Sequence, residues 1–270
     1  MEGQVTVDKE AYKQLLVDLG DEAGRLAGCL RSLDFEQWGL PTPAAGWAIQ
    51  DQVTHLAFFD DATAQALREP AEFRSFADEL MAGGMDFPDR IAENHRILAP
   101  ATMLDWFVDS RAELLDVLEQ RDPKDRMPWF GPDMSAASAA TARLMETWAH
   151  GQDVYDALGL EHPPCAGLYS IAHLGVATFA FTHRLNGLEV PRETVRVTLD
   201  APDGSLWNWG PFDSTEKVSG PALDFVLTVT QRRHWTDTGL VAEGPVATRW
   251  LDIAQAFAGA PSRRRPEVTS

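Results

Sequence analysis

From Asp8 to Leu33 the apolar residues Tyr12, Leu15, Leu16, Leu19, Ala23, Leu26 and Leu30 recur at three- and four-residue steps. That period is one buried face of a long helix. It returns three more times. Ile49, Val53, Leu56, Ala57 and Ala64 mark a second helix that starts near Trp47 and stops before Pro70. Leu104, Phe107, Val108, Leu114, Leu115 and Leu118 mark a third after Pro100. Ser135 is placed to cap a fourth that runs to about Leu158, with Gly159 and Pro163-Pro164 ending it. Long amphipathic helices must bury their stripes against one another, which confines the first part of the chain to a helical bundle. Between these helices, 71–98 reads as less regular helix interrupted by Gly83-Gly84 and Pro88, and 128–132 as a loop.

A fifth helix spans Leu168 to Leu185, closed by Asn186-Gly187, and then the period changes. Val195-Arg196-Val197-Thr198-Leu199 alternates like a strand, and Asp203-Gly204 is a hairpin signal. Residues 225–230 are rich in β-branched side chains but follow Gly220-Pro221, so strand and helix both stay open. Thr248 to Ala258 reads as a closing helix. The expected fold class is α+β: an up-and-down helical bundle over 1–188, then a small α+β domain over 189–270. That domain ends in a flexible tail carrying Arg263-Arg264-Arg265.

With 41 acidic against 23 basic residues the net charge is −18, which repels nucleic-acid phosphates and anionic lipid. Neither partner is expected. Cys29 and Cys165 form no C-x-x-C pair, which excludes a thiolate zinc site and suits two reduced thiols. The start is polar and no apolar run approaches membrane-spanning length. The expectation is a cytoplasmic monomer or homodimer.

The fourth helix carries Glu146, His150 and Asp153 at spacings of four and three, which places all three on one stripe. Ligand-type side chains on an otherwise apolar stripe are costly unless a metal ion or a hydrogen-bond network satisfies them. His55 stands on the inward side of the second helix between Val53 and Leu56. Bundle metal sites are built from side chains on facing helices in this way. Two imidazoles and a carboxylate suit Zn²⁺ first, and also Ni²⁺, Fe²⁺ or Mn²⁺, and three protein ligands leave a position open. A single histidine on an apolar face is more often a satisfied core residue, so spacing alone leaves both readings standing. The pattern is not H-E-x-x-H, and the metalloprotease assignment does not apply.

Two segments carry a resemblance. Gly46-Trp47, Asp51 and His55-Leu56 resemble the "GW…D…HL" signature of the mycothiol-dependent maleylpyruvate isomerase and DinB-like superfamily. Glu146, His150-Gly151, Asp153 and Ala157-Leu158-Gly159 resemble its second signature, "E…HG.D…ALG". Residues from about 194 to 259, with Trp207-Asn208-Trp209-Gly210-Pro211 and Gln231-Arg232-Arg233-His234, resemble the sterol-carrier-like domain attached to such proteins.

The resemblance implies that His55, Glu146 and His150 are the metal triad. It implies a low-molecular-weight thiol as cosubstrate, mycothiol in actinobacteria, activated by the metal. It also implies a basic residue from the C-terminal domain. Arg232 occupies the comparable place and would hold a substrate carboxylate, with Arg233 and His234 beside it as candidates to bind the cosubstrate. Asp153 is expected to orient a ligating histidine, and Trp47 and Trp129 to wall the pocket. His183 is the remaining histidine best placed to approach the site. The implied chemistry is isomerisation of a small electrophile, or sulfur transfer to it. A metal-dependent hydrolase, lyase or cyclase is the alternative enzyme class. A non-catalytic metal- and ligand-binding protein is the alternative outside enzymes.

Overall fold

The computed structural model describes residues 9–261, and the arginine run of the tail lies outside them. The chain divides into two compact units, 1–163 and 164–270. This division falls at Pro163-Pro164, earlier in the chain than the expected 188/189.

In the first unit the four periodic stretches form α1 (Lys9–Arg31), α2 (Ile49–Arg68), α5 (Pro100–Glu119) and α6 (Ala136–Leu158). They pack as a ring in the order α1, α5, α2, α6, so that α2 lies directly against α6. Leu26, Leu30, Ile49, Val53, Leu56, Met103, Phe107 and Val154 form one buried core drawn from all four helices. Burying each such side chain contributes about 1.5–3 kcal/mol. Two shorter helices, α3 (Pro70–Ala82) and α4 (Phe87–His95), fill the stretch read as irregular. Gly83-Gly84 separates them, but Pro88 does not interrupt. It sits in the first turn of α4, where its missing N–H costs nothing. A short antiparallel hairpin of β1 (Arg126–Met127) and β2 (Met134–Ser135) flanks the 128–132 loop.

The ends of α6 follow local chemistry. The Ser135 hydroxyl accepts from the Ser138 N–H at 3.1 Å, and Gly159 closes the helix with φ +65°.

The second unit begins with two helices where one was expected. α7 (Leu168–Ala177) and α8 (Phe179–Leu185) meet at Thr178, whose hydroxyl bonds back to the Gly175 carbonyl at 2.9 Å. α7 packs on α9 (Ala222–Val229) and α8 on α10 (Pro245–Ile253), which is why both helices belong to this unit. Gly175 makes the first contact possible, since a Cβ there would lie 2.8 Å from Val229. The sheet has the order β4-β3-β5-β6, with β3 (Val195–Asp200), β4 (Leu206–Trp209), β5 (Glu216–Pro221) and β6 (Val241–Glu243). β3 pairs antiparallel with β4 through the Asp203-Gly204 turn and parallel with β5. The alternation of β3 buries Val197 and Leu199. The ambiguous 225–230 stretch is helical, within α9. The closing helix starts at Pro245 rather than Thr248, because the Glu216 carboxylate accepts from the Val246 and Ala247 N–H groups at its first turn.

Among the described residues no helix is long and apolar enough to cross a membrane.

Candidate metal centre

The contact between α2 and α6 brings His55 to Glu146 and His150. A nitrogen or oxygen donor from each lies within 4.8 Å of the others. Oε2 of Glu146 is 3.1 Å from Nε2 of His150 and 3.8 Å from Nε2 of His55. A tetrahedral Zn²⁺ with N and O ligands at 2.0–2.2 Å spaces its donors by about 3.3 Å, and the two distances bracket that value. The residues therefore fit a divalent ion. Among the described residues this trio is the group of histidine, cysteine and acidic side chains arranged to hold one.

The electrostatics agree with that use. Burial, and then the neighbouring His150, pushes the His55 imidazole down to about 4. Burial alone would raise the Glu146 carboxyl, but His150 and His55 outweigh it and hold it well below the usual carboxylate range. At neutral pH an ionised carboxylate and a neutral imidazole thus stand side by side, the protonation states that ligate a metal.

Beside the trio, Trp47 stacks on His150 with ring centroids 5.9 Å apart and lies 5.5 Å from His55. Its indole N–H donates to Asp89 Oδ1 on α4 at 2.7 Å. Trp47 also borders a groove of about 380 Å³ with Pro41 and Arg96. On the other flank, Phe59 lies 4.5 Å from His55. Trp129 is one ring further out, 6.1 Å from Phe59 and stacked on Phe73. It belongs to an aromatic cluster with Phe59, Phe73 and Phe130.

Asp51 serves the backbone. It caps α2 through the Ala48 N–H and pairs with both Nε and Nη2 of Arg96 at 2.9 Å. Below the trio, the buried Asp60 receives Arg111 at 2.7 Å and Arg143 at 2.8 Å, tying α2 to α5 and α6.

A residue of α2 also reaches His150. Nδ1 of His150 meets the side-chain oxygen of Gln52, while Asp153 is fully buried further along α6. Sequence reasoning missed Gln52, although it lies three residues before His55 on the same stripe of α2. Nδ1 of His55 has no hydrogen-bond partner among the described residues.

Arg232, Arg233 and His234 belong to the second unit and follow α9. Gln231 turns the chain there with φ +59°, a conformation uncommon for a non-glycine residue. Nη1 of Arg232 donates to the Thr230 carbonyl at 2.7 Å, and Nη1 of Arg233 to the Arg232 carbonyl at 2.8 Å. His234 bonds to Thr236. His183, in α8, gives its Nδ1–H to the Phe179 carbonyl at 2.8 Å.

Comparison with known proteins places this geometry. The family model described as the mycothiol maleylpyruvate isomerase N-terminal domain matches residues 19–155, a stretch that holds the whole trio. An uncharacterized protein of Mycobacterium tuberculosis, found in strains CDC 1551 and H37Rv, is 43% identical over 251 residues. The match covers 93% of this chain and 97% of that one. Crystal structures of the mycothiol-dependent maleylpyruvate isomerase and of a mutant of it superpose with TM-scores of 0.58 and 0.59. At 16% identity, over 87% of this chain and 95% of theirs, they show a shared fold. The model match covers half the chain and takes in the first signature segment and the second as far as Asp153, and the chain belongs to the mycothiol maleylpyruvate isomerase family.

Proposed function

We propose that this protein is a metal-dependent, thiol-using enzyme in which His55, Glu146 and His150 hold a divalent ion, Zn²⁺ first among the candidates. The cosubstrate is a low-molecular-weight thiol of the mycothiol type. The reaction is isomerisation of a small electrophile or sulfur transfer to it, and its setting is the cytoplasm. One observation carries this reading: three donor atoms from two facing helices converge within 4.8 Å. Family membership adds the thiol.

A bound dication would favour the thiolate, the reactive form of a thiol, at neutral pH. The chain's own residues prepare for that. The Glu146 carboxylate keeps its charge, and the depressed His55 imidazole stays neutral. Three ligands leave room for an external one. Trp47 and Phe59 place aromatic rings against two sides of His55. In the second unit, Arg232 is proposed to hold a substrate carboxylate in a bidentate pair, and Arg233 and His234 are proposed to bind the cosubstrate.

The test is metal content of the wild type beside His55→Ala and His150→Ala, followed by thiol titration of the zinc-loaded wild type. Near-stoichiometric metal in the wild type alone, with saturable thiol binding, is the expected result. Equal metal content in all three proteins sinks the metal centre. Metal retention without binding of any cellular thiol sinks the thiol chemistry and moves the reading to hydrolysis.

A further inference from the structure

We propose that Thr42 and Gln52 form a relay that sets the tautomer of His150 and keeps its Nε2 open as a donor. The inference rests on the reading of the trio as a metal centre and adds two positioning residues to it. Its starting point is a carbonyl. The main-chain oxygen of Trp47 can only accept, and it takes the Thr42 N–H at 2.8 Å and the Thr42 hydroxyl at 2.9 Å. A hydroxyl has one hydrogen. With that hydrogen on Trp47, Oγ1 of Thr42 is left as an acceptor toward Gln52, which stands 2.8 Å away. The end of the Gln52 amide that faces Thr42 is therefore the NH₂.

The opposite end is the carbonyl oxygen, and it meets Nδ1 of His150. An acceptor at that position requires Nδ1 to carry the hydrogen. A neutral imidazole has one N–H, so Nε2 carries the lone pair. In the neutral ring that lone pair faces Oε2 of Glu146, an acceptor, at 3.1 Å, whereas a protonated ring donates there and holds the carboxylate low. A cation between the two relieves this arrangement. A reversed Gln52 amide would put NH₂ against Nδ1, drive the hydrogen onto Nε2 and close the donor. It would also pull the Thr42 hydroxyl off the Trp47 carbonyl.

The relay has little freedom to reverse. Gln52 is fully buried, and its neighbour Asp51 fixes the start of α2 through Ala48 and Arg96. Residues 40–48 are pinned by the Ile49 N–H on the Leu40 carbonyl and by Arg96 on the Gly46 carbonyl. The loop that lays Trp47 on the His150 ring is thus the loop that sets its tautomer.

Two readouts test this. In metal-free protein labelled with ¹⁵N-histidine and held above pH 8, long-range proton–nitrogen correlation reports which nitrogen of His150 bears hydrogen. Zinc affinity is measured by competition with a chromophoric chelator. The wild type is expected to show the Nδ1–H form. Thr42→Val is expected to show the Nε2–H form or a mixture, with zinc affinity down by about 10–100-fold, the usual cost of losing an outer-shell partner. Thr42→Ser should match the wild type in both readouts, and Gln52→Leu should lose affinity as Thr42→Val does. An Nε2–H wild type, or a Thr42→Val protein that keeps the wild-type tautomer or affinity, overturns the proposal. If the wild type binds no zinc the metal reading fails, and the His150 tautomer still decides whether the relay exists.

Discussion

His55 is an imidazole that burial and the neighbouring His150 push down to about 4, and the consequence for stability has a definite sign. In the unfolded chain an imidazole takes up a proton below about 6.5, whereas the folded chain refuses it until about 4. Between those values the unfolded state binds more protons, so the metal-free fold loses stability as pH falls from 6.5 toward 4. The loss is on the order of 3 kcal/mol when accumulated over the window. Glu146 extends the slope downward. Its depressed carboxyl contributes stability above 4.5 that is lost as pH falls through its folded value. Urea unfolding of chelator-treated protein at pH 7 and pH 5 should show the decline. His55→Asn should flatten it, and equal slopes in the two proteins would show that the imidazole is not held neutral by burial. At this scale the sequence said much about the donors and little about their supports. The types and spacing of His55, Glu146 and His150 were legible. The link from Gln52 to His150 depends on how α2 is rotated against α6, which no local pattern records.

Elements were legible where local chemistry decides them and obscure where packing does. Ser135 and Gly159 bound α6 where their side-chain and backbone preferences place them. The break at Thr178 lacks a Gly or Pro to announce it. The β-branched run of α9 becomes helix because its apolar face is covered by α7 and the sheet. Inter-helix ties are equally silent in sequence. Asp60 on α2, Arg111 on α5 and Arg143 on α6 look like surface charges, yet all three are buried together. Arg111 Nη2 reaches Thr147 at 2.9 Å and Arg143 Nη2 reaches the Leu56 carbonyl at 3.1 Å. Removing the shared acid strands two guanidinium groups in the bundle, and breaking such a buried pair costs about 3–5 kcal/mol. Asp60→Ala should therefore be destabilised by that amount in urea unfolding at neutral pH. A change below about 1 kcal/mol would mean that the two arginines reach water and that the cluster is not a structural tie.

Across the whole molecule, the two signature segments are far apart in sequence and meet only because the ring order sets α2 beside α6. The bundle was legible from periodicity, and the resemblance supplied the pairing. The boundary between the units was not legible, since α7 and α8 carry the same helical period as the bundle and are separated from it by the partners they pack on. All three proposed ligands lie within the unit 1–163, on helices joined otherwise by apolar contact, the Gln52–His150 hydrogen bond and the Asp60 cluster. An ion held from both sides is linked to folding: it binds the native arrangement and not the unfolded chain. At a free concentration one hundred times its dissociation constant, such an ion adds about 2.7 kcal/mol to stability. Scanning calorimetry should therefore show a transition that rises with added zinc in the wild type and falls back on chelation. The same titration should leave His55→Ala unmoved. A thermal shift of equal size in that variant would place the zinc elsewhere on a chain with 41 acidic residues, whose exposed carboxylates offer weak sites, and would separate binding to the molecule from binding to this centre.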